Sequence, residues 1–286
     1  MTAHVHNARD SHSFPLQGKR IVVTRPREQS GELVERLRAL GAIPIECPAI
    51  AITLPEDFGP LDRALAGLAD YEWVVFTSAN AVRVVAARIL AAGRGLEELK
   101  ARRIAAIGPA TAAALQRIGC AVSFMPDTYV AEAIVEQIGD VRGKRILLPR
   151  ADIARKALAE GLRAKGAIVD EVTAYRTVRE PSVSSAPSAR AALWSLLQEG
   201  SVHAITFTSS STVRYTIESM AGDGADVEDA DIEEAVRLLN RAAIVCIGPV
   251  TAATARQYGL EVAAVAEDYT VEGLVDALVR LFSSQQ

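Results

Sequence analysis

Short apolar runs alternate along this chain with longer stretches in which apolar residues recur at helical spacing. Ten such runs, each four or five residues long, fall at 20–23, 43–46, 73–76, 104–107, 122–125, 145–148, 168–171, 203–207, 244–247 and 262–265. They are rich in Val and Ile and apolar on both faces, as expected of strands covered by helices on both sides. Between them, Leu33, Leu37 and Leu40 share one face of a helix expected over 32–40. Gly41, Gly119, Gly166 and Gly259 close helical stretches, where a left-handed cap favours glycine. Repeated strand–helix units on short loops predict an α/β fold, a doubly wound parallel sheet with right-handed crossovers.

The pattern occurs twice. Phe76-Thr77-Ser78 returns as Phe207-Thr208-Ser209, an offset of 131 from 78 to 209. Ile107-Gly108-Pro109-Ala110-Thr111 returns as Ile247-Gly248-Pro249-Val250-Thr251, an offset of 140 from 108 to 248. Gly18-Lys19-Arg20-Ile21 returns as Gly143-Lys144-Arg145-Ile146, an offset of 125 from 18 to 143, which Gly41/Gly166 and Ala42/Ala167 keep. The pieces therefore run A–B–A–B, with the A pieces at 18–50 and 143–175. Two extended stretches, 47–53 and 172–178, break the helical rhythm after the A pieces, and the second mixes β-branched and aromatic residues. They are expected to pair as an antiparallel ladder between domains. Residues 180–188, rich in Pro and Ser, read as a surface linker, and the acidic stretch 222–231 as a solvated loop peculiar to the second copy.

The repeated hydroxyl and glycine residues fall just after apolar strands, at the edge where doubly wound sheets bind ligands. Two edges built alike imply one ligand held by two half-sites. Ser78, Ser209, Thr111 and Thr251 stand where strands hand over to helices, able to cap and to meet an anion at a helix N-terminus. Gly108 and Gly248 belong to the same turns, and Pro109 and Pro249 suit a first helical turn. Arg25 and Arg150 match across the A copies, and Arg83 and Arg214 across the B copies. A forked guanidinium in either pair suits a carboxylate, with surface solvation the default for the second pair. Tyr175 is different: its counterpart at the offset of 125 is Ile50, so packing shared by the copies does not account for it.

Composition bounds the function. The chain has 286 residues, half of them hydrophobic, enough for two cores. No segment approaches the roughly twenty apolar residues of a membrane span, and 1–17 lacks the order of a signal peptide. Residues 1–13 are polar, with His4, His6 and His12, and are expected to form a mobile tail rather than a metal site. Cys47, Cys120 and Cys246 lie far apart in apolar settings, which points to reduced, buried thiols in a cytoplasmic protein. A net charge of −4 disfavours non-specific nucleic-acid binding. No phosphate-binding glycine loop or dinucleotide fingerprint is present, and His203 is the only histidine outside the tail, which disfavours a hydrolase triad.

The paired Phe-Thr-Ser and Ile-Gly-Pro-x-Thr turns, with Leu148-Pro149-Arg150 and Ala174-Tyr175-Arg176-Thr177-Val178, run in order over about 18–281. In these motifs the chain resembles the uroporphyrinogen-III synthase family. The resemblance implies two flavodoxin-like domains joined by a two-stranded antiparallel linker, the chain crossing over and back. The first would combine 18–47 with 178–286, the second would be 53–172, and 48–52 and 173–177 would be the linker strands, after a tail at 1–17. It implies cyclisation of hydroxymethylbilane, a polyanionic linear tetrapyrrole, to uroporphyrinogen III with inversion of ring D and loss of water, without metal, nucleotide or redox cofactor. Tyr175 would lie near the leaving hydroxyl, and Arg25, Ser78, Gly108, Thr111, Arg150, Ser209, Gly248 and Thr251 would receive the substrate. It further implies a cytoplasmic monomer, free of membrane and nucleic acid, with at most transient contact with hydroxymethylbilane synthase. The alternative is a catalytically inactive tetrapyrrole- or anion-binding regulatory relative of the same fold.

Overall fold

The computed structural model describes residues 14–180, 189–222 and 228–284. The expected tail over 1–13, the linker over 181–188 and the middle of the acidic stretch, 223–227, lie outside the described residues. The chain forms two compact units, one from 1–49 with 182–286 and one from 50–181. In chain order the strands are β1 (Arg20–Val23), β2 (Ile43–Glu46), β3 (Ile50–Thr53), β4 (Trp73–Phe76), β5 (Arg103–Ala106), β6 (Arg145–Ala151), β7 (Ile168–Arg179), β8 (Ala204–Phe207), β9 (Ala243–Cys246) and β10 (Val262–Val265). Among the described residues no helix is long and apolar enough to cross a membrane.

The first unit holds a parallel sheet in the order β10-β9-β8-β1-β2. Its apolar runs serve two cores because successive side chains point to opposite faces. Val22, Ile205 and Phe207 pack with Val213, Ile217 and Leu239 on one face. Ile21 and Val23 pack with Leu33, Leu37, Leu274 and Leu278 on the other. β1 lies between β2 and β8, with Ile21 opposite Ala204. Gly41, at φ 83°, ends the helix Arg27–Ala39 in a left-handed turn that its amide closes onto the Arg38 carbonyl at 2.9 Å.

The second unit has the order β3-β7-β6-β4-β5, parallel except at β3. Val74 and Phe76 face a core of Val82, Val85 and Leu115. Trp73 and Val75 face Ile134, Leu158 and Leu162. β7 is one strand of 12 residues, where a strand over 168–171 and a separate connector were expected. Its first half runs parallel to β6 and its end pairs antiparallel with β3, from Ile50 opposite Arg179 to Thr53 opposite Arg176. The two connector stretches thus do form a ladder, as part of this unit's sheet.

Two expectations are corrected. Residues 122–125 are not a strand; they contribute one isolated bridge, Ala105 to Phe124. Ser123 and Met125 are exposed, and Val122 and Phe124 are only half-buried, so neither face is covered as an inner strand's would be. The acidic stretch is not loop throughout: the helix Asp229–Leu239 starts within it, behind a capping box between Glu228 and Asp231. Ala235, Leu238 and Leu239, buried on one face, hold that helix to the core.

Candidate functional site

In the second unit β4 ends at Phe76, and Ser78 starts the helix Ala79–Ala91 as its N-cap, its hydroxyl accepting from the Ala81 amide at 3.2 Å. Ser209 does the same for the helix Ser210–Ala221 in the first unit. There its hydroxyl accepts from the Thr212 amide at 3.2 Å, and the Thr212 hydroxyl accepts in return from the Ser209 amide, a capping box. Both serines are half-buried. Arg83 reaches the Asn80 side-chain oxygen. Arg214 lies 3.5 Å from Glu218 on its own helix and over the Tyr215 ring.

Thr111 and Thr251 do not cap. The caps of their helices, Pro109–Arg117 and Pro249–Gln257, are Gly108 and Gly248. With proline at the first helical position the hydroxyls fall two residues further on, where Thr111 and Thr251 are 4% and 5% exposed. The glycines are extended, so their role is space rather than conformation. A Cβ on Gly108 would stand 3.0 Å from Cγ of Tyr129, and one on Gly248 3.3 Å from Cγ of Tyr269. Each tyrosine ring lies directly on the turn.

The two matched arginines differ. Arg150 is buried, its guanidinium 2.9 Å from Glu171 and bonded to the Arg155 carbonyl. Glu171 also takes Arg163 at 2.8 Å, so Arg150 already faces a carboxylate of its own chain. Burial lowers the Arg150 pKa, and Glu171 draws it back up. Arg25 is half-buried, with an Nε that finds no hydrogen-bond partner among the described residues. Burial lowers its pKa as well, against the opposing charge of Glu32.

Tyr175 lies in β7 at a break in the β6 register: Arg150 faces Thr173, and the next residue, Ala151, faces Tyr175. Ala174 is the extra residue of a bulge, and bulges re-aim side chains. Both Ala174 and Tyr175 are consequently buried, at 0% and 8% exposure, in the core beside the helix Ala79–Ala91. The side chains of Ser78 and Asn80 at that helix's start lie close enough to the phenol to stabilise its charged form. Burial pushes its pKa above the ordinary value, Ser78 and Asn80 pull it down, Asp152 pushes it up, and Arg150 pulls it down; the net direction is upward. The group is therefore a neutral phenol at neutral pH, equipped to donate a proton rather than to accept one.

The sequence did not single out Asn80 or Asp152. Asn80 sits two residues past the Ser78 cap, where the other copy has Ser211, also polar. Asp152 pairs with Arg27 at the offset of 125. The copies differ there as sharply as at Tyr175 and Ile50, and that break was the available signal. Among the described residues no cluster of His, Cys, Asp and Glu is arranged to hold a metal ion.

Residues 31–276 match the family model described as uroporphyrinogen-III synthase HemD. The chain is 35% identical over 266 residues to the uroporphyrinogen-III synthase of Synechococcus elongatus, covering 92% of this chain and 96% of that one. Among solved structures, a mutant uroporphyrinogen III synthase from the extremely thermophilic bacterium Thermus thermophilus aligns with a TM-score of 0.66 at 20% identity, covering 93% of this chain and 100% of that one. The Helicobacter pylori uroporphyrinogen-III synthetase aligns at 0.54 and 14%, covering 93% and 100%. At these identities the structural likeness speaks for the fold: α/β, with parallel sheets and flanking helices.

Proposed function

The chain belongs to the uroporphyrinogen-III synthase family, and on that footing we propose that it cyclises hydroxymethylbilane to uroporphyrinogen III, inverting ring D and releasing water, with Tyr175 as the proton donor to the departing hydroxyl. The observation that carries the role of Tyr175 is its neutral, buried phenol, aimed by a bulge at the start of a helix. A hydroxide leaves poorly, and a proton from the phenol turns it into water. The pyrrole carbon that closes the ring later loses a proton, its electron pair returning to the ring, and that proton restores the phenol and balances the reaction.

The rest of the task is orientation, because the terminal pyrrole must turn over before the macrocycle closes. Helix N-termini are good receivers of the substrate's carboxylates, through free backbone N–H groups and the helix dipole. We assign that role to the turns at Ser78, Gly108, Ser209 and Gly248, and to Arg25, whose Nε has no hydrogen-bond partner among the described residues. Arg150, held by Glu171, we assign to supporting the β6–β7 edge beside Tyr175. The strand order supports a flavodoxin-like reading of the first unit: numbered within the unit, its strands lie 2-1-3-4-5. Three buried free thiols support a reducing, cytoplasmic setting.

The test supplies hydroxymethylbilane to the purified protein, oxidises the product and separates the type I and type III isomers. Type III product is expected from the wild type. Tyr175→Phe is expected to lower turnover by roughly ten- to a thousand-fold, at about 1.4 kcal/mol per decade, while leaving the fold intact. Equal turnover for the variant and the wild type would remove Tyr175 from the reaction.

A further inference from the structure

Tyr175 owes its aim to an irregular piece of backbone, and one side chain ties that piece down. Asp152 follows directly on β6. Its amide donates to the Tyr175 carbonyl at 3.1 Å. Its Oδ1 accepts from the Thr177 amide at 3.0 Å and from its own neighbour, the Ile153 amide, also at 3.0 Å. Its Oδ2 lies 3.7 Å from Nε of Arg176. Beyond the bulge at Ala174 the β6–β7 ladder keeps one shifted pair, Ala151 with Tyr175, so these bonds extend it past the residue that bears the phenol.

The neighbouring strand does not do this work. β3 pairs with 176–179, starting at Arg176 opposite Thr53, and stops short of Tyr175. Between the shifted Ala151–Tyr175 pair and the β3 ladder, Asp152 holds the backbone at the tyrosine by its amide and two residues beyond it by its carboxylate. The other copy has Arg27 at this position and Ile50 in place of the tyrosine, so clamp and phenol are specific to the same half of the duplication.

We propose that Asp152 is a positioning residue, whose carboxylate oxygen fixes the bulged backbone so that the Tyr175 phenol points at the start of the helix Ala79–Ala91. The proposal rests on the reading of Tyr175 as the proton donor. It is a claim about the place of an acceptor atom, and two substitutions separate place from charge. Asp152→Asn keeps an oxygen at Oδ1 and loses the charge. Asp152→Glu keeps the charge and moves the oxygens out by one methylene. A misplacement of about 1 Å can cost on the order of a hundred-fold in rate.

Both variants are to be measured for kcat and KM with hydroxymethylbilane, alone and combined with Tyr175→Phe, with thermal melts alongside. The expected result is that Asp152→Asn stays within about threefold of wild-type kcat and Asp152→Glu falls by roughly ten- to a hundred-fold, with KM changed far less. In the Tyr175→Phe background Asp152→Glu should cost little more, since residues acting as one unit are not additive. A better rate for Glu than for Asn, or an equal further loss from Asp152→Glu with Tyr175 already replaced, would overturn the proposal. If Tyr175→Phe loses turnover and Asp152→Glu does not, Asp152 is dismissed and the reading of Tyr175 stands. If Tyr175→Phe turns over like wild type, that reading falls and the proposal falls with it.

Discussion

Two tyrosine–glycine contacts repeat at the turns of this duplicated chain, and each is a test of close packing. Tyr129 lies on Gly108 and Tyr269 on Gly248, with room for a Cβ tighter at 108 (3.0 Å) than at 248 (3.3 Å). Both glycines are extended, at φ −173° and −175°, so alanine suffers no backbone strain and gains from a less flexible unfolded chain. At 108 the overlap with the ring should outweigh that gain, giving a net loss of about 1 kcal/mol; at 248 the two should nearly cancel. Chemical denaturation of Gly108→Ala and Gly248→Ala checks the ranking, and equal stabilities would show that the rings yield freely. At this scale the sequence showed where chemistry-bearing residues stood but not what they touched. Tyr175 stood out because Ile50 breaks the repeat, whereas Arg150 looked as available as Arg25 until Glu171, 21 residues away, was found beside it.

Helix starts show what the two copies share and where they diverge. Thr270 caps the helix Val271–Ser283, its hydroxyl accepting from the Gly273 amide at 3.1 Å. At the offset of 140 the helix Ala131–Gln137 starts behind Val130, at nearly the same backbone angles but with no side-chain cap. Thr270→Ala should therefore cost about 1 kcal/mol, and Val130→Thr should recover a similar amount in the other unit. Thermal melts of both variants check this, and a destabilised Val130→Thr would show that the valine methyls matter more than an amide's partner. The strands were legible wherever both faces were apolar and covered, as at Val22, Val74 and Ile205. β7 was not, because its bulge at Ala174 leaves no mark on composition, and a strand that changes partner from β6 to β3 carries no periodicity of its own. Residues 122–125 show the reverse error: an apolar run whose faces are left half-buried or exposed.

At the scale of the molecule, the A–B–A–B order has a consequence for folding. Both cores of the second unit draw only on residues between 50 and 181, and both cores of the first draw only on residues outside that range. The second unit's ends also meet, with Ile50 opposite Arg179 in the β3–β7 ladder. A continuous segment with its own cores and paired ends has what an independent domain needs. Residues 50–181 expressed alone should therefore fold and unfold in one cooperative transition. The first unit lacks that independence along the chain. β1 lies between β2 and β8, and the Arg20 amide donates to Nδ1 of His203 across 183 residues, so its sheet closes only once the far segment has been made. Contacts so distant in sequence slow folding, because the intervening chain must be closed into a loop first. In refolding of the full chain, pulsed hydrogen exchange should accordingly find the amides of β4 and β5 protected before those of β1 and β8. Simultaneous protection of all four strands, together with a non-cooperative melt of isolated 50–181, would show that neither unit is stable without the other.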